Sequence, residues 1–328
     1  MTFHGQVRFD EFMARALHDP GEGYYARNIS SIGRRGDFTT APMLSGTTAR
    51  AIAQWAAQAL RESNCRDLIE IGPGQGALAL AVLKQLPWSL RWRVRLHLVE
   101  TSAPLRQHQS ELLGRRARWH ATPADALAAC GGHAVIFSNE LVDAFPVRRF
   151  QRTPDGWREL ALDFVGSRPA REVLLPPGPL PPSASFALDH PMGQWLEVHD
   201  SYRQWLADWL PKWRSGRLLT IDYGSTAEFL YHRRPRGTIR AYFHHQRLEG
   251  GDIYANPGRQ DLTADVNFTD LIEWSSDWTS GARLLSFREF VAAAADLSNP
   301  SDQALLAEHG AGDAFLVLDQ TCKLNCTV

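Results

Sequence analysis

The run Glu70-Ile71-Gly72-Pro73-Gly74-Gln75-Gly76 holds the residue types and spacing most suited to binding chemistry in this 328-residue chain. It follows one apolar stretch and precedes another. Glycines allow a tight strand-to-helix turn there and let backbone N–H groups come close to a ligand. Dinucleotide sites use G-x-G-x-x-G/A, with an acid about 20 residues further on. Here the spacing is G-x-G-x-G and Ala77 takes the final position, so that pattern is met only in relaxed form. Glu70 places a carboxylate at the strand end, which suits a ligand carrying an ammonium group better than one carrying a pyrophosphate. A glycine turn serving structure alone is the competing reading.

Two further acidic positions extend the set. Glu100 closes the next apolar run, with Thr101 beside it; in a Rossmann-like sheet that position faces a nucleotide ribose, whose two hydroxyls a carboxylate can bind. Asn139-Glu140-Leu141-Val142-Asp143-Ala144-Phe145-Pro146 follows a third run, and ligands bind outside the carboxyl ends of such strands. If this segment turns helically, Glu140 and Asp143 share a face and can orient a guanidinium or ammonium group. The alternative is a helix N-terminus enriched in acid to complement its dipole. Neither a Gly-x-Ser-x-Gly elbow nor a P-loop pattern is present.

The elements that must hold these residues follow from periodicity. Asp67–Ile71, Val94–Val99, Ala134–Phe137 and Leu218–Ile221 are short apolar runs of the kind buried on both faces of a parallel sheet. Helices are predicted over Ala77–Leu86, stopped by Pro87, and over Pro104–Leu113. Ahead of them, residues 8–18 and 45–61 carry apolar residues at helical spacing, with Ser45 a fair N-cap for the second. Alternating strands and helices predict an α/β fold, a Rossmann-like sheet with helices on both faces. Residues 147–188, with a hairpin expected at Asp155-Gly156 and prolines from Pro176 to Pro182, break the rhythm, as do residues 224–268. They read as insertions forming a substrate cap.

Composition narrows the partners. A formal net charge of -1 gives no global field toward nucleic acid or an anionic membrane, and the short basic runs at 115–118 and 233–236 read as solvated faces. No run approaches the ~20 apolar residues of a membrane span. Cys65, Cys130, Cys322 and Cys326 lack zinc spacing, so no metal is expected; the last two fall in a tail expected to lack order. The start, Met1-Thr2-Phe3-His4-Gly5, shows neither an apolar signal stretch nor an Arg/Ser-rich leader, which points to the cytoplasm.

These residues together resemble the MidA-like family of methyltransferases, which includes a mitochondrial complex I assembly factor. The resemblance runs from Phe12 and Asp19-Pro20-Gly21 through Gly23-Tyr24-Tyr25 and Gly36-Asp37-Phe38-Thr39-Thr40-Ala41-Pro42. It continues through Glu70–Gly76, Val99-Glu100, Asn139–Pro146, Ile221-Asp222-Tyr223-Gly224, Gly237–Tyr242 and Gln260-Asp261-Leu262-Thr263. It implies S-adenosylmethionine as cofactor and a class I methyltransferase domain over residues 63–328, with insertions at about 147–200 and 224–268. Residues 1–62 are then an N-terminal helical segment packed on that core.

The resemblance also implies a protein partner, methylated on an arginine. Glu70, Gly72, Pro73, Gly74 and Gly76 would hold the methionine end of the cofactor, Glu100 and Thr101 the ribose, with Asn139 beside them. Glu140 would orient the guanidinium, and Asp143 or Asp37 would accept its proton. Met43 stands where the family carries an acid and Asp265 where it carries a histidine, departures that bear on substrate more than cofactor. A non-catalytic assembly chaperone, a small-molecule methyltransferase gripping its substrate near Tyr223, Tyr242 and Phe243, and a nucleotide-dependent oxidoreductase are the alternatives. The oligomeric state is left open.

Overall fold

The computed structural model describes residues 1–27, 46–165, 170–244, 246–308 and 311–323. Its contacts divide the chain into two compact units, Thr40–Leu141 with Leu206–Tyr223 and Trp274–Val328, and Met1–Thr39 with Val142–Trp205 and Gly224–Glu273. The boundary drawn at residue 62 from sequence falls inside the first stretch of the former. Residues 1–39 group instead with the inserted stretches.

The first unit is built on seven strands, β1 (Asp67–Ile71), β2 (Arg95–Val99), β3 (Ala117–His120), β4 (Val135–Asn139), β5 (Arg217–Ser225), β6 (Thr279–Ser286) and β7 (Phe315–Cys322). Their order is β6-β7-β5-β4-β1-β2-β3. The five strands from β5 to β3 are parallel, as the alternating pattern predicts. The sheet is nevertheless mixed, because β7 runs antiparallel to both β5 and β6. The segment before β7 carries two short helices, Phe287–Ala292 and Pro300–Leu306, and returns the chain to the same end of the sheet it left. Hydrophobic periodicity marks a strand but carries no sign of its direction. Cys322, expected in an unordered tail, ends β7 and is buried, its thiol donating to the Trp213 carbonyl at 3.3 Å. Pairing of β7 on both sides orders that residue; Cys326 lies outside the described residues.

All five residues of β1 are buried, which requires cover on both faces. Alternate residues Leu68, Leu96, Leu98, Val135, Phe137, Leu219 and Ile221 share one core with helices Gly46–Glu62 and Ala77–Gln85. The opposite face buries Ile69, His97 and Ile136. Helix Gly46–Glu62 forms where the sequence places it: Ile52, Trp55, Ala56, Ala59 and Leu60 recur every three or four residues and are all buried. Full burial of a side chain such as Ile52 contributes about 1.5–3 kcal/mol.

In the second unit, the hairpin around Asp155-Gly156 pairs Arg148–Thr153 with Gly156–Phe164. Gly5–Arg8 and Arg171–Leu174 also pair with Gly156–Phe164, and Trp195–Val198 with Arg148–Thr153, all antiparallel. Helix Phe9–His18 buries Phe9, Phe12, Met13, Ala16 and Leu17 in this unit's core. A smaller sheet places Arg240–Phe243 between Gln246–Leu248 and Asp261–Thr263. No helix among the described residues is long and apolar enough to cross a membrane.

Candidate active site

The carboxyl ends of β1, β2 and β4 bring the predicted cofactor residues to one edge of the sheet. Leaving β1, the chain turns so that the Gly72 amide donates to the Val99 carbonyl at the end of β2, 3.1 Å away. Gly76 N–H then donates to the Pro73 carbonyl at 2.8 Å, closing the turn before helix Ala77–Gln85. Gly72 and Gly74 lie at φ 68° and 52°, in the left-handed region that β-branched residues avoid. A Cβ at Gly72 would also stand 2.7 Å from Leu141 Cδ1. Leu141 can give way there, so it is the backbone conformation that favours glycine at that step.

Two acceptors at this edge are buried without a donor, Glu70 Oε2 and Asn139 Oδ1. Leaving such a group unpaired costs about 1–3 kcal/mol. Burial pushes the Glu70 carboxyl up to about 8. A ligand bringing an ammonium group and neutral donors would satisfy both atoms, so the residues present fit the amino-acid end of S-adenosylmethionine.

Glu100 is tied from two directions: Ser102 N–H donates to Oε1 at 2.8 Å and the Gln109 amide to Oε2 at 3.3 Å. Thr101, itself exposed, adds a backbone N–H. Burial still raises the Glu100 pKa against these bonds. Each bond comes from a neutral donor, and of the about four acceptor positions of an ionised carboxylate these three donors leave about one for a ribose hydroxyl.

Asn139 ends β4, its Nδ2 donating to Glu140 Oε1 at 3.2 Å. The next step departs from the expected helix. Glu140 has φ 50°, its amide donates to the Ile221 carbonyl at 2.9 Å, and no helix begins here. Buried Asp222 holds the following turn, accepting from Leu141 N–H at 3.1 Å and Tyr223 N–H at 2.9 Å. The helical-face argument for Glu140 and Asp143 thus fails, and so does the helix-dipole alternative. The bonds offered by β5 outweigh the local preference, and the two carboxylates fall in different units.

In the second unit, Asp143 accepts from the Thr263 hydroxyl at 2.8 Å, and Tyr25 donates to Asp261 at 3.3 Å. Burial raises Asp143; burial first, then the Asp143 charge, lifts Asp261 to about 7. Asp265 pairs with both Arg234 and Arg240. Burial alone would raise Asp265, but the two guanidiniums outweigh it and hold the carboxylate below its ordinary range. Arg234 is accordingly engaged rather than part of a freely solvated run. Asp37 and Met43 lie outside the described residues.

Of the aromatic set, Tyr223 packs on Phe315 with centroids 3.8 Å apart in the first unit. Tyr242 accepts from Arg240 Nε at 3.1 Å in the second. Asp222, Tyr25 and Asp261 sit inside motifs quoted from the sequence, but nothing in residue type announced their bonds. Gln109 carried no signal at all.

Among the described residues one group could ligate a metal: Asp67, His97 and Cys130, whose ligating atoms lie within 4.8 Å of one another. They already bind each other. His97 Nε2 meets Asp67 Oδ1 at 2.9 Å, His97 Nδ1 meets His120 at 2.9 Å, and Arg95 pairs with the second Asp67 oxygen. Burial lowers the His97 pKa and lifts the Cys130 thiol to about 12. It lies at the end of β1 away from the glycine turn.

A mixed sheet with an acid and a glycine turn at the end of its first strand and a second acid after its second defines an α/β enzyme built to hold S-adenosylmethionine. Residues 51–286 match the family described as "Putative S-adenosyl-L-methionine-dependent methyltransferase". The chain belongs to that family of S-adenosylmethionine-dependent methyltransferases.

Curated relatives include the protein arginine methyltransferase NDUFAF7, mitochondrial, of Danio rerio, 29% identical over 306 residues that cover 83% of this chain and 69% of that protein. The Homo sapiens protein of the same name is 28% identical over 301 residues, 81% of this chain and 65% of its own length. A superfamily member from Burkholderia thailandensis, solved bound to S-adenosyl-homocysteine, superposes with a TM-score of 0.81 at 28% identity, covering 97% of this chain and 88% of that one.

Gly74→Val is expected to abolish saturable S-adenosylmethionine binding in calorimetry, because valine at a left-handed φ must remodel the turn. Affinity within threefold of the parent would show that this turn does not carry the cofactor.

Proposed function

We propose that the chain transfers a methyl group from S-adenosylmethionine to an arginine side chain of a protein. The observation that carries this reading is Glu140, a non-glycine residue at φ 50° at the carboxyl end of β4. Left-handed backbone at such a residue costs on the order of 1–3 kcal/mol and clusters at functional sites. Here it is fixed by Ile221 behind it and by the Asp222 carboxylate after it. The relatives named above, called protein arginine methyltransferases, support the same reading.

Arginine stays protonated in water, with a pKa above about 12. In this reading the Glu140 carboxylate accepts from the guanidinium fork, orients one nitrogen, and stabilises the charge as that nitrogen becomes nucleophilic. The cofactor, when bound, supplies an electrophilic sulfonium methyl. Asp143 or Asp37 takes the proton released, directly or through water.

The purified enzyme should be incubated with S-[methyl-3H]adenosylmethionine and protein extracted from cells lacking its gene, followed by acid hydrolysis. Label recovered as methylarginine is the expected result. Label confined to another amino acid, to small molecules, or absent from both would overturn the acceptor. A cytoplasmic site of action is also proposed; the described cysteines, Cys65, Cys130 and Cys322, are free thiols, as in a reducing compartment. Fractionation placing the protein inside an organelle would overturn that.

A further inference from the structure

We propose that Gln109 is a positioning residue for the cofactor, holding the Glu100 carboxylate in the orientation that selects an intact ribose. The proposal rests on the reading of Glu100 as the ribose acceptor.

Gln109 lies on helix Ala103–Leu113, where Gln107, His108, Ser110 and Glu111 are exposed, yet it is 0% exposed. A buried carboxamide is costly unless its polar atoms are paired. Nε2 donates to the Gly74 carbonyl at 2.7 Å and to Glu100 Oε2 at 3.3 Å. Oε1 accepts from Trp119 Nε1 at 2.9 Å. Indole N–H can only donate, so Trp119 fixes which end of the amide is oxygen and turns both N–H groups toward the turn and the carboxylate. The side-chain stem is seated as well: a Cβ at Gly76 would come within 3.2 Å of Gln109 Cγ. One side chain thus links the glycine turn to Glu100, with its orientation set from β3 beyond them.

This arrangement constrains what Glu100 can do. Its two oxygens each receive a neutral donor, Ser102 N–H on one and Gln109 on the other. The carboxylate plane is therefore pinned from both sides, with the Thr101 N–H as a third donor, and the acceptor capacity left over is confined in direction. Without the Gln109 donor only the backbone N–H groups of Ser102 and Thr101 hold the carboxylate, and preference for a particular hydroxyl is weakened before binding itself.

The test compares S-adenosylhomocysteine with its 2′-deoxyribose analogue by calorimetry on the full chain. The wild type is expected to prefer the intact ribose about tenfold, the value of one charge-assisted hydrogen bond. In Gln109→Met, which keeps the length and removes the donors, that preference should fall at least threefold. Trp119→Phe, which keeps an aromatic ring and removes the N–H orienting the amide, should shift it in the same direction and serves if Gln109→Met does not fold. A merely structural role would weaken both ligands equally and leave the ratio at its wild-type value, which overturns the proposal. Glu100→Gln separates the two readings. A collapsed ratio there with an unchanged ratio in Gln109→Met removes Gln109 alone, whereas an unchanged ratio in Glu100→Gln removes the ribose assignment and this role together.

Discussion

Glu140→Gln is expected to lower methyl transfer by about 100- to 1000-fold, the scale of losing one preorganised charged partner of a transition state. The substitution keeps size and backbone preference, so the strained φ and the Ile221 bond persist. What goes is the negative charge facing the proposed guanidinium. The proposed cofactor residues Glu70, Gly72–Gly76 and Glu100 are untouched, and S-adenosylhomocysteine affinity should stay within about threefold, less than 1 kcal/mol. Rates from single-turnover methylation and affinities from calorimetry separate the two effects. Equal loss of both would reassign Glu140 to cofactor binding.

Glu70→Gln should do the reverse, stabilising the unliganded protein while weakening its hold on cofactor. The folded-state pKa of about 8 lies above the ordinary 4.5 because burial opposes the charge. The stability this group contributes is complete below its unfolded pKa and is lost as pH rises through about 8. The wild type should therefore lose melting temperature between about pH 4.5 and 8, and the variant should lose less. Cofactor binding needs the carboxylate, so wild-type affinity should climb about 20-fold from pH 6 to 8; it should level where the ligand's own amino group, with an ordinary pKa of roughly 7.7–8.0, deprotonates. In Glu70→Gln the climb should vanish. A wild-type affinity flat over this range would mean that Glu70 does not meet the ammonium.

The sheet edge that gathers Glu70, the glycines and Glu100 was legible because its signals are local. Glu70, the glycines and Glu100 each follow directly from a strand end, and one periodic pattern places them all. The Glu140 turn was not, because its conformation depends on Ile221 and Asp222, which are distant in sequence and offer hydrogen bonds that no local propensity records. Gln109 was hidden for a different reason. Glutamine on an amphipathic helix between exposed neighbours reads as solvent-facing, and only Trp119, Gly74 and Glu100 converging on it make burial favourable. Asp265 and Arg234 each read as isolated charges, and their pairing is a product of the fold.

The position of β7 sets the order in which the sheet can be finished on a translating ribosome. Parallel strands β1 to β5 can associate once residue 225 has emerged, but the outer side of β5 then presents bare N–H and C=O groups. Among the described strands β6 pairs only with β7, so it has no place in the sheet until Phe315–Cys322 arrives between them. The nascent chain must therefore carry an open, hydrophobic strand edge through the synthesis of everything from β5 to β7, a state that invites aggregation or chaperone capture. Substitutions in β7, remote in sequence from every cofactor residue, act first on the yield of folded enzyme.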